Sequence, residues 1–318
     1  MPQATAREIE ALVDHLASGT RLTVAQIALL SDLSPDEAKP LSAGWQRIPA
    51  DAKEALLDEA IVLAEGDVGL NFRRLAEIGL EDPESTVRIS AIAGLWESRE
   101  RDTARRLVLM LGTDPEEAVR AAAAGSLREF VLARELGQFD TEVGDDVVEA
   151  LRTAFEDRTE ALNVRAAAIE ALGSRSLPWV ATAISDAYYD DDRTLRISAL
   201  RAMGDSADTR WFELLEDDLE SSEPDVRFEA AAAVGEIGNE GGAVLLAPLL
   251  EDVDQTVLVA AIRALGAIGG DASIELLEEF LAAREDDDGD EAELKHEAER
   301  AIERARSGDE EDIASWDG

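Results

Sequence analysis

Residues 224–238 read PDVRFEAAAAVGEIG. Val226, Ala230, Val234 and Ile237 follow one another at spacings of 4, 4 and 3, which puts them on one face of a helix. Four consecutive alanines favour that helix intrinsically. Pro224 suits its first turn, where a missing N–H costs little. Gly235 and Gly238, like Gly266 and Gly269 further on, are expected to end their helices. The Val-Arg of this stretch recurs along the chain: the arginines fall at Arg88, Arg120, Arg165, Arg196 and Arg227, with Leu258 in the sixth slot. The steps are 32, 45, 31, 31 and 31 residues. A fixed period of that length is the mark of stacked repeats. A second helical stretch precedes each acidic turn, as in the residues after Phe72, Thr103, Trp211 and Ala243. Two helices per unit predict an all-α fold, an α-α superhelix.

Outward from the repeats, alanine stands four residues after the start of every unit, at Ala91, Ala123, Ala168, Ala199, Ala230 and Ala261. A small side chain there is expected to let helices approach closely. A degenerate seventh unit, LKHEAERAI, begins at Leu294, and its charged faces suit a terminal cap. Three segments are expected: an off-register helical cap over 1–69, the array over 70–303, and an acidic disordered tail over 304–318. The 45-residue step holds an insertion near residues 134–146, either a longer hairpin or a loop.

The chain has 318 residues, with 71 acidic against 30 basic side chains and a net charge of −41. Only Lys39, Lys53 and Lys295 are lysine. Self-repulsion on this scale opposes compactness in dilute buffer, but it is nearly harmless in molar salt, where the screening length is about 3 Å. Acidity with scarce lysine resembles the proteins of salt-accumulating archaea. No window reaches the apolar length of a membrane helix, and the first residues lack a basic-then-apolar leader pattern. A cytoplasmic protein is expected. With no cysteine, disulfides and thiolate metal sites are excluded.

The Asp-x5-Arg register, with Val-Arg-x2-Ala leading to Leu-Gly, resembles HEAT repeats of the phycobilisome-lyase type over about residues 70–303. That resemblance implies the solenoid fold. On function it spans scaffolds, chromophore lyases, an iron hydroxylase and DNA glycosylases, so activity must be argued from residues. It also implies a structural ladder, in which Asp82, Asp114 and Asp190 bond helix N-termini or a neighbouring unit's arginine among Arg88, Arg120, Arg165, Arg196 and Arg227. Aspartate ahead of a helix is a capping residue in its own right.

A hydroxylase-type iron site would need four His-Glu steps. The chain has two histidines, His15 and His296, and one such step, His296-Glu297. No catalytic, cofactor or metal residue is expected, and no cofactor. A nucleic-acid partner is not expected either, since no lysine- or arginine-rich stripe is present to hold phosphates. What remains is the exposed face of the second helices. At about 100° per residue, positions 3, 6 and 10 after the unit start lie opposite the buried face, with position 2 at the border. The residues expected to bind a partner there are Ile197, Arg201, Phe228, Glu229, Val259 and Arg263, with Trp316 near the C-terminus as a short docking motif. The expected function is a non-enzymatic scaffold or adaptor that binds another protein, itself a monomer. The alternative is a lyase-like accessory protein holding a cofactor or modified protein.

Overall fold

The computed structural model describes residues 5–284 and 292–314, with side chains as far as 307. Among the described residues all regular structure is helical. Four helices come first: α1 (Ala6–Ala17), α2 (Val24–Ala28), α3 (Lys39–Gly44) and α4 (Ala50–Gly66). Seven pairs follow: α5 (Arg73–Gly79) with α6 (Ser85–Ala93), α7 (Arg101–Thr113) with α8 (Glu117–Glu135), and α9 (Thr141–Glu156) with α10 (Leu162–Leu172). Then come α11 (Pro178–Tyr188) with α12 (Arg193–Asp205), α13 (Phe212–Leu219) with α14 (Pro224–Ile237), α15 (Gly241–Leu246) with α16 (Gln255–Ile268), and α17 (Gly270–Ala282) with α18 (Ala292–Ala314). The chain divides into two compact units, 1–171 and 172–318.

In the first unit the second helices stack in sequence, α4 on α6 and α6 on α8. Helix α4 thus occupies a second-helix place ahead of the first repeat. Leu56, Leu57 and Ala60 bury that helix, and the Lys53 ammonium reaches the Asp82 carboxylate at 2.6 Å. The 45-residue step is a lengthened hairpin. α8 runs for 19 residues and α9 for 16, and Phe130 meets Phe139 edge-on at 5.2 Å at the joint.

In the second unit α12, α14, α16 and α18 lie side by side, with α11, α13, α15 and α17 packed on them. All six register alanines are fully buried. The closest approach, however, is made elsewhere. A Cβ built on Gly173, Gly204, Gly235 or Gly266 would come within 2.9, 3.0, 2.7 and 2.9 Å of the Cα of Ala202, Ala233, Ala264 and Ala301 on the next second helix. Gly235 and Gly266 thus sit inside α14 and α16 as contact points, which corrects their expected role as caps. The cap of α14 is Gly238, left-handed at φ +66°.

The segment expected to be a disordered tail from residue 304 is helical as far as Ala314, and residues 315–318 lie outside the described residues. Helix α18 continues past residue 304 because its apolar register of Ala298, Ala301 and Ile302 extends one step further to Ala305, which is 1% exposed.

Candidate functional site

The ladder arginines start at the first turn of each second helix, where the side chain can reach both its own turn and the next unit. Arg88 gives Nη1 to the Asp82 carbonyl at 2.8 Å, and Nε and Nη2 to the Asp114 carboxylate at 2.9 and 2.8 Å. Arg120 repeats this with the Asp114 carbonyl and Glu160, as does Arg227 with the Ser221 carbonyl and Asp252. The forked pairing uses the planar geometry of guanidinium and carboxylate. Each acid also accepts an N–H of its own turn: Asp82 from Glu84, Asp114 from Glu116, Asp190 from Asp192, Asp252 from Asp254. Capping and cross-linking are thus done by the same carboxylate. The Arg227 fork holds the Asp252 carboxyl below its usual range against the cost of burial.

Arg165 gives Nε to the Phe155 carbonyl at 3.0 Å, over the Phe155 ring. One rung departs from the pattern. Arg196 finds Ser221 in the slot where an acid would answer it. Asp218, three residues earlier on α13, replaces that acid and pairs with Arg196, whose guanidinium lies 5.2 Å from the Tyr188 ring centre. Asp218 is 2% exposed, and its Oδ2 lacks a hydrogen-bond partner. Burial pushes its carboxyl up, against the pull of Arg196 and Tyr188. Burial likewise pushes the Tyr188 hydroxyl up to about 12. Glu223, the acid next after Ser221 in that turn, meets Arg193 at the surface.

At the head of the ladder Asp82 has no preceding arginine. Lys53 and the Trp45 indole take that place at 2.6 and 2.7 Å. Burial opposes ionisation of Asp82, yet the bonds from Lys53, the Glu84 amide and Trp45 hold its carboxyl low.

The expected partner-binding residues lie in the second unit, and the structure gathers three of them. Phe228, Val259 and Arg263 line a recess of about 420 Å³ together with Gln255, Thr256, Glu293, Leu294, Glu297 and Arg300. Phe228 is 37% exposed, while Ile197 and Val259 are half-buried. Arg201 grips Glu229, its Nε at 3.0 Å, and Arg263 grips Glu297 at 2.7 Å. Arg300 adds a second guanidinium to Glu297. Both pairs join position 6 of one unit to position 3 of the next, a second ladder that the first one conceals. Leu294, Glu297 and Arg300 keep the same register as Leu258's unit, so continuing the position count into the seventh unit would have found them. The position-3 residues Ser198 and Ala260 are buried between helices, so the open line runs through position 6. The one His-Glu step has its carboxylate occupied by Arg263 and Arg300. Among the described residues no three His, Cys, Asp or Glu side chains gather to hold a metal. Trp316 lies outside the described residues.

Paired helices in register with arginine-acid rungs define a helical-repeat protein. The profile of HEAT repeats matches residues 130–204, 180–257 and 211–303, together more than half of the chain, which therefore belongs to the HEAT-repeat family. Among solved structures it is similar to the complex of CpcE and CpcF of phycocyanin lyase from Nostoc sp. PCC7120, at 18% identity over 74% of this chain and 94% of that one, with a TM-score of 0.51. It is also similar to a karyopherin bound to the extreme C-terminus of a protein phosphatase, at 14% identity over 96% of this chain and 40% of that one, TM-score 0.50. Human deoxyhypusine hydroxylase aligns at 18% identity over 95% of this chain and 98% of that one, with a TM-score of 0.35. These likenesses concern the fold alone. No curated protein gives a significant match.

Proposed function

We propose that this protein is a non-enzymatic interaction scaffold that captures another protein on the second-helix face of residues 172–307, in a salt-rich cytoplasm. The observation that carries this reading is the recess beside Phe228, where an aromatic ring stays 37% exposed among Val259, Leu294 and oriented arginines. A partially desolvated aromatic beside arginine is the composition of interface hot spots. Repeat stacks use such faces for extended partners.

The test is affinity capture from a native lysate in molar potassium chloride with mass spectrometry. Replacing Arg201, Phe228 and Arg263 together is expected to abolish capture of a defined protein while circular dichroism stays unchanged. Capture retained by the triple variant removes this face from consideration. A co-purifying pigment lost with the same variant would favour the lyase-like alternative.

A further inference from the structure

The second helices α12, α14, α16 and α18 carry Arg201, Ala232, Arg263 and Arg300 at their shared position 6. Three arginines in one row are unusual in a chain with 71 acidic against 30 basic residues. Their carboxylate partners do not hide them. The side chains of Glu229 and Glu297 are each 12% exposed, whereas Arg201, Arg263 and Arg300 are 46, 61 and 56% exposed. The glutamates are struts against the helix surface, and the arginine side chains stay about half exposed. Arg263 and Arg300 hold the Glu297 carboxyl low, so the strut stays ionised. One turn below the row, position 2 supplies Ile197, Phe228 and Val259. Glu293 also lines the recess, about 10 Å along α18 from Arg300 at a rise of ~1.5 Å per residue. On the other side, position 10 is mixed, with Asp205, Glu236, Ala267 and Arg304.

We propose that this face binds an acidic segment with apolar anchors, lying across the helices, and that charge makes the choice. Carboxylates meet the arginine row, and an aliphatic or aromatic side chain enters the recess beside Phe228. Packed helices are about 8–10 Å apart, so a segment in the extended polyproline II form, with three residues per turn and a rise of ~3.1 Å per residue, presents a carboxylate to each helix at every third residue. The alanine at Ala232 leaves one rung without a cation. The inference rests on the scaffold reading and adds the chemistry of the partner.

Two fluorescein-labelled peptides of about twelve residues test it. One carries glutamate at every third position between leucines and phenylalanine; the other has lysine in place of each glutamate. Anisotropy is measured on the full chain at the lowest potassium chloride concentration that keeps it fully helical. The acidic peptide is expected to bind about tenfold more tightly than its lysine counterpart. Arg201→Gln, Arg263→Gln and Arg300→Gln each weaken the acidic peptide about threefold and leave the lysine peptide bound no more weakly than before. Arg263→Lys restores most of the loss, and Phe228→Ala weakens both peptides. Equal or tighter binding of the lysine peptide, or arginine variants without effect, overturns the proposal. If neither peptide binds while the triple variant still loses its captured protein, the acidic partner is rejected and the scaffold reading stands.

Discussion

Two glycines inside helices separate packing from propensity at the level of single residues. An alanine at an exposed helical glycine normally stabilises by roughly 0.5–1 kcal/mol. Gly125 in α8 has nothing within 4 Å of an added Cβ, and Gly125→Ala is expected to raise the thermal midpoint accordingly. Gly235 has Ala264 at 2.7 Å, so Gly235→Ala should lower the midpoint, with overpacking of about 1–3 kcal/mol outweighing the propensity gain. Midpoints that move in the same direction would remove the close approach of α14 and α16 as a determinant. The ladder acids make a prediction about pH. Asp252, lowered by Arg227, contributes stability that is present above the ordinary carboxylate range and lost as pH falls through its depressed folded value. Asp252→Asn is therefore expected to cost on the order of 3 kcal/mol at neutral pH, shrinking towards acid in urea titrations. Asp218 has the opposite sign: its raised folded value means that its contribution worsens as pH rises out of the acid range.

Between elements, the head of the stack depends on one buried pair. Lys53 on α4 and Asp82 before α6 are 4 and 0% exposed at their side chains. Removing one partner leaves the other charged and desolvated, so Lys53→Met should cost about 3–5 kcal/mol. Hydrogen exchange is expected to show α4 losing protection ahead of α12–α18, as stability in stacked repeats is set largely by neighbours. Uniform loss of protection along the chain would argue against a local tie. The lengthened α8–α9 hairpin was visible in the sequence as a 45-residue step, but not as helix. A count of residues does not distinguish a loop from two longer helices, whereas the buried Phe130 beside Phe139 does.

For the whole molecule, charge sets the operating conditions. A net charge of −41 repels itself over about 10 Å at 0.1 M salt and about 3 Å at 1 M. Helical ellipticity and the thermal midpoint are therefore expected to rise between low and molar potassium chloride; full, unchanged helicity in dilute buffer would contradict salt adaptation. What could be read in the chain alone was the repeat, the all-α class, the six buried alanines and most ladder arginines, because a 31-residue period and a 3.6-residue face are local regularities. Only the folded stack decided that Asp218 answers Arg196, that Lys53 and Trp45 answer Asp82, that Gly235 is a contact and not a cap, and that Phe228, Val259 and Leu294 share one recess. Those pairings join residues more than 20 apart in the chain, and no periodicity along the chain records the distance between neighbouring helices.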